Sequence, residues 1–502
     1  MKTIKELCFP SKFEYQLPQK FVKNFINPKT DYKSLLIYHK IGSGKTCAAI
    51  QIAEQWVGHR KIYIITPASL ISNMYKEFRS LCTHNHYVSK SERDILKELD
   101  PMSSEYLNLI KDINKRIDSN VNIISYNKFI NKINNQSITL RNSLIIIDEI
   151  HNIISDTGVM YQTLYNFIQN APESLRIVLL TATPIVDQPS ELALLINLLK
   201  PKHTLPTGKA FNKMFIHDNQ LINQDILQKN LEGYVSYYKG APAKTFPLKK
   251  FRLVNCHMSD YQYHVYSKIK LSETIDNNFY INSRIASNTT FPKINNLNLD
   301  ISKSYDLLEK YSCKLLKLLI KLKYSRGTVF IYSNFKEIGG IKLIAKILED
   351  NGYSNYENNG AGTSRFAIWT GDETSENKDN ILSVFNSVNN QNGSKIKILL
   401  GSPSIKEGIS LMRVRQVHIL EPHWNMSRIQ QIIGRAIRFC SHAIVKPKRR
   451  IVKVFLYIAC LPVNHKELSV DQYILDIAHK KEELINQFDQ LLVDSSVDKL
   501  LY

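Results

Sequence analysis

The apolar run Leu35-Leu36-Ile37-Tyr38 leads into His39-Lys40-Ile41-Gly42-Ser43-Gly44-Lys45-Thr46, and helix-forming residues follow without a break. A buried strand that turns through two glycines into a helix start makes a phosphate cradle. The glycines let backbone N–H groups wrap an anion, and the helix N-terminus adds a favourable dipole. In that geometry Lys45 reaches the β- and γ-phosphates of a nucleotide, and the Thr46 hydroxyl lies on Mg2+. His39 stands where such loops usually begin with glycine, but Gly42 and Gly44 keep the part that turns tightly.

The sequence around this loop alternates short β-rich runs (34–38, 61–66, 122–125, 144–148 and 177–181) with longer helical stretches. Such alternation predicts βαβ units about a parallel sheet, whose strands are apolar throughout because both faces are covered. Residues 240–247, rich in Gly and Pro, mark a break. A second alternation follows a helix near 305–323, with strands at 328–333, 366–370, 396–401, 416–420 and 452–459. Apolar residues at helical spacing over 469–492 predict a closing helix. The reading is an α/β chain: one domain over 1–245, a linker or helical excursion over 246–305, and a second domain over 306–502.

Three further strings narrow the chemistry. The strand 144–147 ends in Asp148-Glu149-Ile150-His151, which sets two carboxylates at the carboxyl edge of the sheet, where α/β proteins bind ligands. Asp148 would hold Mg2+ through water and Glu149 would orient or deprotonate an attacking water. Thr181-Ala182-Thr183-Pro184 follows another apolar strand, a hydroxyl-rich loop suited to sensing the γ-phosphate side. Downstream, Gln431-Ile432-Ile433-Gly434-Arg435-Ala436-Ile437-Arg438 places Arg435 and Arg438 on one face of a predicted helix. Two guanidiniums brought to a transferring phosphoryl group from elsewhere in the chain stabilise its charge.

The formal charge of +21 points to a polyanionic partner, nucleic acid before membrane, although an Ile-, Lys- and Asn-rich composition alone raises it too. No apolar run is long enough for a membrane span, and Met1–Gln16 has no apolar core of a signal peptide. Seven scattered cysteines without a Cys-x-x-Cys predict a reducing compartment, with no disulfide frame and no zinc. Two readings stay open for Tyr126 and Phe129, core packing or base stacking. The basic run 446–450 reads as a solvated loop, a phosphate contact or a nuclear signal.

In chain order the strings 39–46, Ile65-Thr66-Pro67-Ala68, 148–151, 181–184, Lys406-Glu407-Gly408-Ile409-Ser410-Leu411 and 431–438 resemble motifs I, Ia, II, III, V and VI of superfamily 2 helicases, spanning 13–498. Gln19-Lys20-Phe21-Val22-Lys23-Asn24-Phe25, Tyr38-His39, 233–238 and 417–425 are similar, more narrowly, to helicase-like ATPases of large DNA viruses. These are relatives of the poxvirus early transcription factor small subunit and nucleoside triphosphatase I. The resemblance implies two tandem RecA-like domains, each a parallel sheet flanked by helices, and a nucleic-acid-dependent ATPase using ATP and Mg2+. It implies that His39, Lys40, Ile41, Gly42, Ser43, Gly44, Lys45 and Thr46 line the nucleotide, with Gln19 reading the adenine. His151, Thr181 and Thr183 would couple hydrolysis to domain closure, and Gly408 would join the site beside Gln431, Arg435 and Arg438. RNA or DNA would run over 66–69, Ser125-Tyr126 and 402–406. Viral RNA polymerase or transcription factors are implied partners, in the virion or host cytoplasm. The alternative is a transcription factor subunit gated by ATP that binds DNA without unwinding it.

Overall fold

The computed structural model describes residues 3–9, 12–40, 42–101, 103–273, 278–291, 305–405 and 409–501. They form two compact units. The loop unit is Phe9–Ala241 with Lys481–Tyr502; the arginine unit is Met1–Cys8 with Pro242–Lys480.

In the loop unit β1 (Ser34–His39), β2 (Lys61–Thr66), β3 (Asn122–Ser125), β4 (Ser143–Ile147) and β5 (Arg176–Thr181) are joined by helices. A small antiparallel pair, β6 (Ile216–His217) and β7 (Gln220–Leu221), precedes β8 (Val235–Tyr238). The main sheet runs β3-β2-β4-β5-β1-β8, parallel throughout. Alternate side chains enter two cores: Leu36, Tyr38, Ile145 and Ile147 on one face, Leu35, Ile37, Leu144 and Ile146 on the other. That double burial explains the unbroken apolar strands. Truncating any of these side chains to Ala would cost about 2–5 kcal/mol.

The arginine unit repeats the plan with β9 (Leu248–His257), β10 (Val329–Tyr332), β11 (Ser354–Asn355), β12 (Arg365–Trp369), β13 (Ile398–Gly401), β14 (Gln416–Ile419) and β15 (Ile451–Cys460). Its order is β11-β12-β13-β10-β14-β15-β9, again all parallel. The α/β class and the two parallel sheets match the sequence reading. Inside the span read as linker, β9 pairs with β15 along its whole length. The helix near 305–323 is two helices, Tyr305–Tyr311 and Cys313–Lys323, parted at Ser312, whose side chain caps the second. The closing helix is Val470–Asp494: Ile474 packs in a core of the arginine unit, and Leu484, Phe488, Leu491 and Leu492 in a core of the loop unit.

Its first turn carries Asp471, which forms a fully buried ion pair with Lys314. Lys314 also donates to Asn288 Oδ1 and to Leu420 O, each at 2.8 Å, and Asp471 accepts from Ala459 N at 2.9 Å. These hydrogen bonds offset the removal of two charges from water.

The cysteine reading needs correction. Cys8 pairs with Cys440 and Cys47 with Cys82 as disulfides. The partners lie 432 and 35 positions apart, so no local spacing announces them. Because Cys47 and Cys82 bond each other, neighbouring Glu77 has no pair of thiolates with which to share a metal.

Candidate active site

All six strands of the loop unit's main sheet end on one edge, so the polar residues that follow them collect there. At the end of β1, Gly42 and Gly44 have φ of 79° and 75°. A side chain at either position would be strained, and a Cβ on Gly44 would come within 2.5 Å of Gln19 Nε2. Gly44 is the N-cap of the helix Lys45–Trp56, which fixes the helix start at the loop. Ser43 is buried with its Oγ unbonded, an orphaned donor inside the cradle. Lys45 Nζ donates to His39 O at 3.1 Å, so its ammonium is drawn across the loop. An orphaned hydroxyl, a lysine and two left-handed glycines at a helix start are a donor set suited to phosphates.

His39 is turned away from the loop. Its ring is fully buried, and Nε2 lies 3.0 Å from Ser236 Oγ on β8. Ser236 spends its one hydroxyl proton on Asp498 Oδ2 at 2.7 Å, so His39 Nε2 must donate and Nδ1 carries a bare lone pair. Burial, and then the charge of Lys45, lower the His39 pKa to about 3, so the ring is neutral at physiological pH. Lys40 is likewise engaged within the unit, on Tyr38 OH and, at 3.5 Å, on Asp489. The Gln19 amide is used at both ends, accepting from Gln16 N at 2.8 Å and donating to Gly44 O at 3.2 Å. Ile41 lies outside the described residues.

The carboxylate pair follows β4. Asp148 is buried; its N donates to Ile65 O at 2.8 Å and its Oδ1 accepts from Glu149 N at 3.0 Å. Glu149 has φ of 51°, an unusual conformation for a non-glycine residue and one that reverses the chain sharply after the strand. Tyr126 holds that turn: its hydroxyl donates to the carbonyls of Asp148 and Glu149, the latter at 2.9 Å. Both Tyr126 and Phe129 are buried, which decides the open question in favour of the core. Nothing in the sequence marks the hydroxyl's task, because Tyr126 follows β3 and reaches the end of β4, one strand beyond its neighbour β2, only in the fold. His151 Nδ1 lies 3.0 Å from Thr181 Oγ1 and 3.4 Å from Glu149 Oε2. Thr181 Oγ1 also accepts from Thr183 N at 3.0 Å. One imidazole therefore links the carboxylate after β4 to the threonine loop after β5.

In the arginine unit, the helix Met426–Ala436 presents Arg435 in its last turn, while Arg438 lies just beyond its end. The two do not share a helix face as the spacing predicted: Ile437, the C-cap, has left the helix (φ −102°, ψ 85°). Arg438 Nη1 donates to Ile409 O at 2.8 Å and to Ser410 Oγ, and Leu411 N donates to Arg435 O at 2.8 Å. Gln431 Oε1 accepts from Arg428 at 3.0 Å. Helix end and loop are thus laced together within the unit; Lys406, Glu407 and Gly408 fall outside the described residues. The basic run ends in Arg450, which donates to Val445 O and Ala443 O, both at 2.8 Å.

Among the described residues no helix is long and apolar enough to cross a membrane. Residues 15–311 match the model of the SNF2-related domain, and residues 310–440 that of the helicase conserved C-terminal domain. The candidate ATP-dependent RNA helicase R563 of Acanthamoeba polyphaga mimivirus is 47% identical over 94% of this chain and 87% of its own. A second mimivirus protein, the candidate ATP-dependent RNA helicase L538, is 28% identical over 96% of each chain. The termination factor NPH-I homolog of African swine fever virus is 26% identical over 93% of this chain and 76% of its own.

Proposed function

Starting from a chain that belongs to the SNF2-related helicases, a family of ATP-hydrolysing enzymes of superfamily 2, we propose a nucleic-acid-dependent motor of viral transcription. The observation that carries the reading is the shared edge of one sheet. The phosphate loop after β1, the Asp148-Glu149 pair after β4 and the Thr181 loop after β5 all end there, with His151 joining the last two.

In this reading ATP is the substrate. Lys45 and the backbone of the loop hold its β- and γ-phosphates, with Gln19 on the adenine side. Thr46 and Asp148 would hold Mg2+ through water, and the bound ion would neutralise charge between the phosphates. Glu149 takes a proton from, or orients, the water that attacks the γ-phosphorus, and the leaving diphosphate carries the negative charge away. Arg435 and Arg438, with Gln431, complete the site during turnover by stabilising the charge on the transferring group. For Arg438 that requires exchanging present acceptors, among them Ile409 O and Ser410 Oγ, for phosphate oxygens. His151, Thr181 and Thr183 pass the state of the γ-phosphate to the residues around them.

The track is RNA or DNA, held through its phosphates by the residues after β2 and β13 and by the helix start that follows β3, as the net charge of +21 favours. A place beside a viral RNA polymerase or its factors, in the virion or host cytoplasm, is supported by relatives from large DNA viruses, one named a termination factor. That same name favours one second reading, a factor that uses ATP to release a transcript without unwinding a duplex. ATP turnover by the purified chain, alone and with single-stranded DNA, duplex DNA or RNA, tests the proposal. Strong stimulation by one polynucleotide is expected and names the track. A rate indifferent to all of them overturns the motor and leaves the second reading.

A further inference from the structure

The strand β9 closes its sheet on one side: β15 covers one of its edges, and no strand among the described residues covers the other. It is ten residues long, and Leu248, Phe251 and Leu253 are 58%, 38% and 48% exposed. Leu248 N donates to Arg450 O, and Met258 N to Cys460 O. In a parallel pair, alternate residues bond the same neighbour, so the even positions face β15. The backbone N–H and C=O groups of Lys249, Phe251 and Leu253 therefore point outward.

The side chains sort as cleanly. Phe251 and Leu253 lie beside Val454 and Leu456 on one face of the sheet, while Lys250 and Arg252 lie beside Lys453 and Phe455 on the other. The helix Cys313–Lys323 packs on that second face and adds Lys317 and Lys321, the latter with Nζ 4.8 Å from the centre of the Phe455 ring. Burial, followed by the neighbouring charges of Arg252, Lys317 and Lys453, lowers the Lys321 pKa. Among the described residues none of these five cations has a carboxylate partner. The arginine unit thus gathers cations beside an unpaired strand edge at the amino end of β15, whereas the loops carrying Ser402 and Glu421 leave the carboxyl ends of β13 and β14.

Lysines on an edge strand also guard against pairing with a second copy, because antiparallel self-pairing would set Lys249, Lys250 and Arg252 against one another. Like charge therefore disfavours a homodimer here while leaving the edge open to an acidic partner. We propose that β9 is a docking edge for an extended segment of another protein in which acidic and apolar residues alternate. The segment adds as one more strand: its backbone bonds Lys249, Phe251 and Leu253, its carboxylates meet Lys250, Arg252 and Lys453, and its apolar residues cover Phe251 and Leu253. Nucleic acid would use the cations but neither the free backbone nor the apolar row.

The test is fluorescence anisotropy on the full chain with three labelled probes. They are a peptide of alternating Glu and Val as long as β9, a peptide of the same composition in two blocks, and single-stranded DNA. The alternating peptide is expected to bind at least about tenfold more tightly than the block peptide, because only it can match both faces of a strand. Joint Lys250→Glu and Arg252→Glu replacement should weaken it roughly 10- to 100-fold. Leu253→Pro, which removes an outward donor and leaves the ladder to β15, should weaken it about tenfold. ATP turnover should stay unchanged in both variants, which shows that they fold. Equal binding of the two peptides, no peptide binding, or variants that bind peptide as the parent does would overturn the proposal. So would a loss confined to DNA, which would make the patch a phosphate contact, or a dimer in light scattering that Leu253→Pro dissolves.

Discussion

The loop unit and the arginine unit share a sheet plan but hold their chemical groups differently. In the loop unit the carboxylates and hydroxyls are fixed by backbone geometry and by side-chain hydrogen bonds across the sheet edge: a left-handed Glu149, a Tyr126 hydroxyl on two carbonyls, and a His151–Thr181 bond across neighbouring strand ends. In the arginine unit Arg438 is a long side chain held at its tip by the carbonyl of Ile409 and the hydroxyl of Ser410, on the loop before Leu411. Moving the first set means breaking a fold; moving the second means exchanging the acceptors of a side chain, Ile409 O and Ser410 Oγ among them. In the reading proposed above, the fixed set would bind the nucleotide and the exchangeable arginine would respond to it.

The largest expected effect strikes the fixed set. Lys45→Ala should lower ATP turnover by about 10³-fold or more, since it removes the one cation on the phosphate loop's helix start. Phosphate release by the purified variant checks this, and parental turnover would break the comparison at its root. Next comes stability in the other unit. Lys314→Met strands the buried Asp471 charge and should cost about 3–5 kcal/mol in urea unfolding. A loss below about 1 kcal/mol would mean that the pair is solvated.

Acid sharpens the contrast in a smaller way. The folded pKa of His39 is about 3, against an ordinary 6.5, so between these values the unfolded chain binds the proton and the folded chain does not. Stability linked to His39 is therefore full above pH 6.5 and is lost as pH falls toward 3. His39→Asn should reduce the slope of unfolding free energy against pH over that window by up to about 1.4 kcal/mol per pH unit. An unchanged slope would show that the ring takes up a proton in the fold. Smallest is Tyr126→Phe, which removes the hydroxyl bridging two carbonyls and keeps the buried ring. Turnover should fall roughly 3- to 10-fold with little change in KM, the size of one lost hydrogen bond; a change in KM alone would place Tyr126 in binding.

Local geometry that sits on consecutive residues was legible in the sequence. The strand into Gly42-Ser43-Gly44-Lys45-Thr46 and the strand into Asp148-Glu149 each state their geometry within about ten residues, because a parallel strand must be apolar and its loop must turn. What depends on distant parts of the chain was not. β9, LKKFRLVNCH, alternates only briefly before its apolar residues change face at Leu253-Val254, and it is a strand because β15 pairs with it. The same holds for the Cys8–Cys440 bridge, for the Tyr126 hydroxyl and for the ring of His39, whose partner Ser236 arrives almost two hundred residues later. The arginine spacing misled for a local reason: the helix stops at Ala436, so the three-residue offset no longer defines a face.

The division of labour is tested most directly by Arg438→Ala, measuring ATP binding and ATP hydrolysis on the same preparation with the stimulating polynucleotide present. The account expects the dissociation constant for ATP to stay within about threefold of the parent, while kcat falls by roughly 10³-fold, the scale of a lost arginine finger. A variant that loses binding and hydrolysis together, or keeps both, would contradict it.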